Sequence, residues 1–206
     1  GNSIFMIYRD NNNDIRDTWV GVSTDLGNSF TSGVDLENQN WLLNSCPASG
    51  PDAVIIGDTL YSTFMNGESG TNEVFYSKLS LYGFSVPTMI KLTGNISGLI
   101  QQNYPRISKY GNAMSIIWVQ NINGNSQLLI NFSDNITNGI SLTYDTVAIN
   151  DIKNADIAVS NNQLWVVWED ENSGTVKFRY GIFSISSTVS ESTFIASNIR
   201  TDFFNY

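Results

Sequence analysis

The chain has 206 residues, of which 14% are charged and 12% aromatic, with a formal net charge of −9, one cysteine and no histidine. That inventory excludes an internal disulfide, histidine-ligated zinc and histidine-based nucleophilic catalysis. Ten basic residues scattered through an acidic chain also exclude nucleic acid and anionic membrane as expected partners, and no apolar run approaches the ~20 residues of a membrane span.

Along the chain, short apolar segments alternate with polar turns, and none shows helical periodicity. The first segment, residues 4–10, closes on the aromatic Tyr8; a polar loop follows, then a second strand at 18–23. Residues 23–30 then read S-x-D-x-G-x-x-F, with Ser23, Asp25, Gly27 and Phe30 at the pattern positions. This predicts a tight structural turn: Asp25 accepts from turn amides, Gly27 supplies a positive φ, Ser23 ties the turn, and Phe30 plugs the inter-sheet core.

The same unit recurs. Segments 59–67, 113–121 and 163–171 close on Phe64, Trp118 and Trp168, giving spacings of 56, 54 and 50 residues from Tyr8 onward. Each is trailed by a loop and another strand, at 73–77, 127–133 and 175–181, and each of these three copies is preceded by an inner strand, at 51–57, 105–111 and 155–161. Eroded turn frames follow at Ser77, Leu79, Leu81 and Phe84, and at Ser133, Asn135, Thr137 and Ile140, where the turn chemistry is expected to be lost and the strand and plug kept. A period near fifty with short strands predicts an all-β chain, a β-propeller of four-stranded antiparallel blades. The repeats run approximately 1–51, 52–104, 105–154 and 155–206, within a single region 1–206.

The octapeptide at 23–30 resembles the Asp-box of the BNR, sialidase-like propeller family. Tyr8-Arg9-Asp10-Asn11, Ile15-Arg16-Asp17-Thr18-Trp19, and Trp41 through Cys46-Pro47 to Gly50-Pro51 extend the resemblance toward secreted bacterial members. It implies secretion or cell-surface display, although no signal peptide is present in the sequence. It also implies a ligand face built from the loops 9–18, 65–73, 119–126 and 169–175 and the crossovers 41–52, 93–105, 143–155 and 193–206. The first copy opens without an inner strand, and residues 203–206 parallel 101–104. The expectation is therefore part of a larger, six-bladed type of propeller completed by other polypeptide, with a closed four-bladed ring as the alternative.

Candidate ligand-binding residues on that face are Arg9, Asp10, Arg16, Asp17, Trp41, Asp52, Arg106 and Asp156. Arginine forks recognise carboxylates, as a sialic or uronic acid would present; alternatively Arg9 pairs with Asp17 and Asp10 with Arg16 across the hairpin. Asp52, Arg106 and Asp156 align at the inner-strand starts and would ring a channel mouth. Trp118 and Trp168 read as core, and Trp41 as an exposed stacking surface. Cys46 reads as a small buried residue. Oxygen donors at 10, 12, 14 and 17 resemble a calcium loop, yet Ile15 stands where glycine is required, so an asparagine-rich turn and no metal or cofactor is expected.

Sialidase chemistry, as the resemblance implies, needs three arginines, a Tyr/Glu nucleophile pair and an Asp acid/base. The five arginines are Arg9, Arg16, Arg106, Arg179 and Arg200, and no full set assembles from them. The expected function is a non-catalytic glycan-binding or surface-interaction propeller. The alternatives are a sialidase-like glycoside hydrolase with part of its site elsewhere, and a structural repeat module of a larger extracellular protein.

Overall fold

Strands that bury one face each can be satisfied by stacking sheet on sheet, and the repeats do so in chain order. The computed structural model describes residues 3–82, 87–93 and 100–183. The first sheet holds β1 (Ile4–Arg9), β2 (Thr18–Ser23) and β3 (Val34–Asp35); the second holds β4 (Asp52–Ile56), β5 (Thr59–Asn66), β6 (Glu73–Ser80) and β7 (Thr88–Lys91). The third holds β8 (Ile100–Tyr110), β9 (Ala113–Ile122), β10 (Asn125–Ser133) and β11 (Asp145–Ile149); the fourth holds β12 (Ile152–Ser160), β13 (Gln163–Asp170) and β14 (Thr175–Ile182). All pairings are antiparallel between chain neighbours. Among the described residues there is no α-helix, only a 3₁₀ turn at Ile136–Asn138, and none is long and apolar enough to cross a membrane.

The register repeats from sheet to sheet. Asp52 lies opposite Thr63 and Thr63 opposite Tyr76; Arg106, Ile117 and Ile130 are matched in the same way, as are Asp156, Val167 and Phe178. Ile7 and Val20 hold these positions in the first sheet. Side chains here point toward the following sheet, whereas Phe64, Trp118 and Trp168, one residue on, point back toward the preceding one. Three buried clusters result: Ile7 and Val20 with Phe64 and Leu79, Val74 and Tyr76 with Trp118 and Leu129, and Ile117 and Ile130 with Val166 and Trp168. Among the described residues each cluster joins consecutive sheets, and none joins the fourth sheet to the first.

The turn expected at 23–30 forms between β2 and β3. Asp25 accepts from the Ser29 amide at 2.9 Å and the Ser29 hydroxyl at 2.7 Å, Ser23 Oγ accepts from the Gly27 amide at 2.8 Å, and Gly27 sits at φ 91°. Phe30 departs from expectation: it is 39% exposed and lies over Gly21 on the outer surface of the first sheet. The third copy keeps more turn chemistry than expected, since Asn135 caps the 3₁₀ turn by accepting from the Thr137 amide at 3.3 Å and from its hydroxyl at 2.8 Å, while Ile140, the expected plug, packs half-buried against the second core. Phe84, the 193–206 crossover and Arg200 lie outside the described residues.

The inner strand expected from 105 begins earlier, at Ile100, and runs through Pro105 across a bulge between Asn103 and Arg106. Pro105 is tolerated there because a bulged residue need not donate to the ladder. Tyr104 occupies φ 56° at this bulge, and Asn154, its counterpart in β12, occupies φ 48° at another.

Candidate functional site

The 9–18 loop is a tight hairpin, not an open ligand loop. Asn12 and Ile15 exchange backbone hydrogen bonds around Asn13 and Asp14, both at positive φ, which is the two-residue turn that asparagine and aspartate favour. The side chains at its base face inward. Arg9 donates Nη1 to the Arg16 carbonyl and Nη2 to the Met65 carbonyl at 2.6 Å, stacks 5.3 Å above the Trp41 ring, and lies 3.6 Å from Glu37. Arg16 donates to the Leu43 carbonyl at 3.2 Å and stands 4.0 Å from Asp14. Both arginines thus pair with other carboxylates than the Asp17 and Asp10 expected from cross-hairpin pairing.

Asp17 instead fixes the crossover, accepting from the Asn40 and Trp41 amides at 2.9 Å each, and its burial raises its pKa. Trp41, expected as an exposed platform, is 6% exposed, wedged between this crossover and Gly67. Glu37 was missed by sequence reasoning. It is buried between the first two sheets, accepting from the Thr18 amide and the Asn66 side chain, and burial pushes its carboxyl up to about 7. Burial also lowers the Arg9 pKa. Cys46, expected as buried, is exposed.

The inner-strand trio falls at one register position but divides its labour. Asp52 bridges sheets: Oδ1 accepts from the Ala53 amide at 2.9 Å and Oδ2 from the Ile107 amide of β8 at 3.0 Å. Arg106 folds back onto the Pro105 carbonyl at 2.9 Å, and among the described residues no carboxylate lies within the 4.0 Å of an ion pair with it. Asp156 Oδ1 accepts from the Ile157 amide at 2.8 Å.

Between the third and fourth sheets opens a cleft of about 730 Å³. It lies at the end of the sheets where the β9–β10 and β13–β14 hairpins and the crossover into β12 meet. Five carboxamides line it, from Gln101, Asn103, Asn121, Asn125 and Asn150, with Tyr104 at the wall, 45% exposed. Lys153 and Glu171 pair at its rim, and Asp151 lies alongside. None of the eight candidate residues named from sequence lines it. The signal available in sequence was the density of Asn and Gln at 101–103 and 121–126, which reads equally as turn chemistry.

No family model matches the chain, and neither does any curated protein. Solved structures do. The Hadza microbial sialidase Hz136 superposes with a TM-score of 0.58 at 13% identity, over 87% of this chain and 42% of its own. The fold is that of the sialidase and glycoside-hydrolase propellers. The Bombyx mori GH32 β-fructofuranosidase BmSUC1 matches this propeller chain at a TM-score of 0.50 and 10% identity, over 89% of this chain and 44% of its own. An exo-1,5-α-L-arabinanase from a bovine ruminal metagenomic library matches at 0.50 and 11%, over 97% and 76%. The propeller chain therefore spans less than half the length of the sialidase and the fructofuranosidase.

Proposed function

We propose that this chain is a non-catalytic, glycan-binding propeller region of a secreted or cell-surface protein, with a neutral sugar seated in the cleft between the third and fourth sheets. The carboxamide lining carries this reading. A carboxamide offers two donors beside one acceptor and so matches vicinal hydroxyls, which also donate and accept, while Tyr104 offers an aromatic face to sugar C–H groups. The formal charge of −9 disfavours an anionic sugar unless arginine compensates it, and no arginine lines the cleft. The sugar-acting names of the structural neighbours support carbohydrate as the ligand class.

The hydrolytic reading has its own observation, since Asp151 and Glu171 lie at the same cleft. Glu171 is paired with Lys153, however, which holds its carboxylate rather than leaving it to move a proton.

The test is calorimetric titration with neutral oligosaccharides chosen from a glycan array, on wild type and Tyr104→Gly. The expected result is binding by wild type, at least tenfold weaker in the variant, with no turnover of aryl glycosides. An array without hits overturns the glycan reading and leaves a structural repeat module; turnover abolished by Glu171→Gln overturns the non-catalytic one.

A further inference from the structure

Tyr104 is held in a conformation that its own sequence opposes. Its φ of 56° lies in the left-handed region that L side chains avoid, and Pro105 after it favours an extended residue at this position. Strain of this kind persists only where surrounding groups impose it. Two groups on the segment that leads into β4 do so. Ser49, 1% exposed, accepts from the Tyr104 amide through Oγ at 2.9 Å, and Asp52 Oδ2 accepts from the Ile107 amide at 3.0 Å. Each bond spans 55 residues, so the two acceptors grip β8 in register, one within its bulge and one just past it.

The counterpart bulge in β12 lacks this device. Among the described residues no side chain accepts from the Asn154 amide, and the Asn154 carboxamide bonds to Glu169 instead. Asn103, which stands in this repeat where Ser49 stands in the one before, lines the cleft. The backbone angle decides where the Tyr104 ring goes. At φ 56° it stands at the cleft wall, 45% exposed. Relaxation to the extended φ of about −120° turns the Cα–Cβ bond by roughly half a revolution relative to the preceding peptide, which carries the ring away from the wall.

We propose that Ser49 is the positioning residue of the cleft: its buried hydroxyl, with Asp52 as the second grip, holds Tyr104 at the φ that turns the ring into the cleft. Its effect on sugar affinity rests on the glycan reading of the same cleft, whereas its hold on the backbone stands without that reading.

Amide hydrogen exchange of the full chain, followed by NMR, reads that hold directly because it reports local opening. In Ser49→Ala the Tyr104 amide should exchange at least about tenfold faster than in wild type, while core amides such as that of Ile117 keep their rates. Ser49→Cys, nearly the same shape but a weak acceptor, should behave alike and serves if circular dichroism shows that the alanine variant does not fold. Calorimetric titration then uses the neutral oligosaccharide of strongest array signal. Ser49→Ala should weaken its binding at least about fivefold beside Tyr104 and less than about twofold in a Tyr104→Gly background, because glycine takes positive φ unaided and no ring is left to place. An unchanged Tyr104 exchange rate, or an affinity loss of equal size in both backgrounds, overturns the proposal. An array without hits, with Tyr104 exchange accelerated as expected, overturns the glycan reading alone and upholds Ser49 as the residue that places Tyr104.

Discussion

Glu37 links protonation to folding at the first inter-sheet boundary. Its pKa in the folded chain, about 7, lies above the ordinary 4.5, so the folded state binds the proton more tightly than the unfolded state does. Stability is then fully present below the unfolded value and falls as pH rises toward 7, by about 3 kcal/mol for a shift of this size. Asp25 and Asp170 act in the opposite sense. Hydrogen bonds from Ser29 and Ser23, and from Lys177 and Ser173, hold each near 2, so their contribution is present above the ordinary 3.8 and is lost as pH falls toward 2. Denaturant melts across pH should therefore show a single stability maximum near pH 4–5. In Glu37→Gln the decline between pH 5 and 7 should flatten while the acid limb stays; an unchanged neutral slope would show that Glu37 does not carry it. None of this was legible in the sequence, because Glu37 belongs to no repeat position and its burial follows from the approach of Asn66 and Arg9, distant in the chain.

Turns show why some glycines are fixed and others free. A Cβ added at Gly67 would sit 2.7 Å from Asn72 Oδ1 and 2.9 Å from the Trp41 ring, so the hairpin between β5 and β6 meets the crossover only as glycine. Gly67→Ala should cost about 1–3 kcal/mol by displacing Trp41 and with it Arg9. Gly50 has open space around it and no positive φ; alanine there should be neutral or stabilise by up to about 1 kcal/mol. Comparative thermal melts distinguish the two, and equal effects would show that the close approach is not real. Strand existence and the hydrogen bonds of the 23–30 turn were readable from local sequence, because alternation and turn chemistry act within a few residues. The bulge that places Tyr104 was not: a proline ahead of a strand reads as its start, whereas here a buried Pro105 lies within one.

Among the described residues, stability is distributed through three inter-sheet cores, so a side chain counts by which boundary it fills. Trp118, fully buried in the second core, should cost about 3–5 kcal/mol when changed to alanine. Trp165→Ala on the outer face should change unfolding free energy in dilute solution by less than about 1 kcal/mol. A comparable loss at both sites would mean that Trp165 is held by more than its described contacts with Tyr180 and Phe178. The aromatic period marked Trp118 and Trp168 correctly as core. The candidate site was less legible, since cleft residues come from four separate segments that only the stacking of the third and fourth sheets assembles.

The common register of every boundary bears on how such chains can change over time. Loss of residues 105–154 would set the face bearing Val74 and Tyr76 against the one bearing Val166 and Trp168, and their duplication would set the face bearing Ile117 and Ile130 against a second copy of the one bearing Trp118 and Leu129; each face meets the kind of face it already packs on. Whole repeats are interchangeable parts, and unequal recombination can add or remove them without first having to invent a new core.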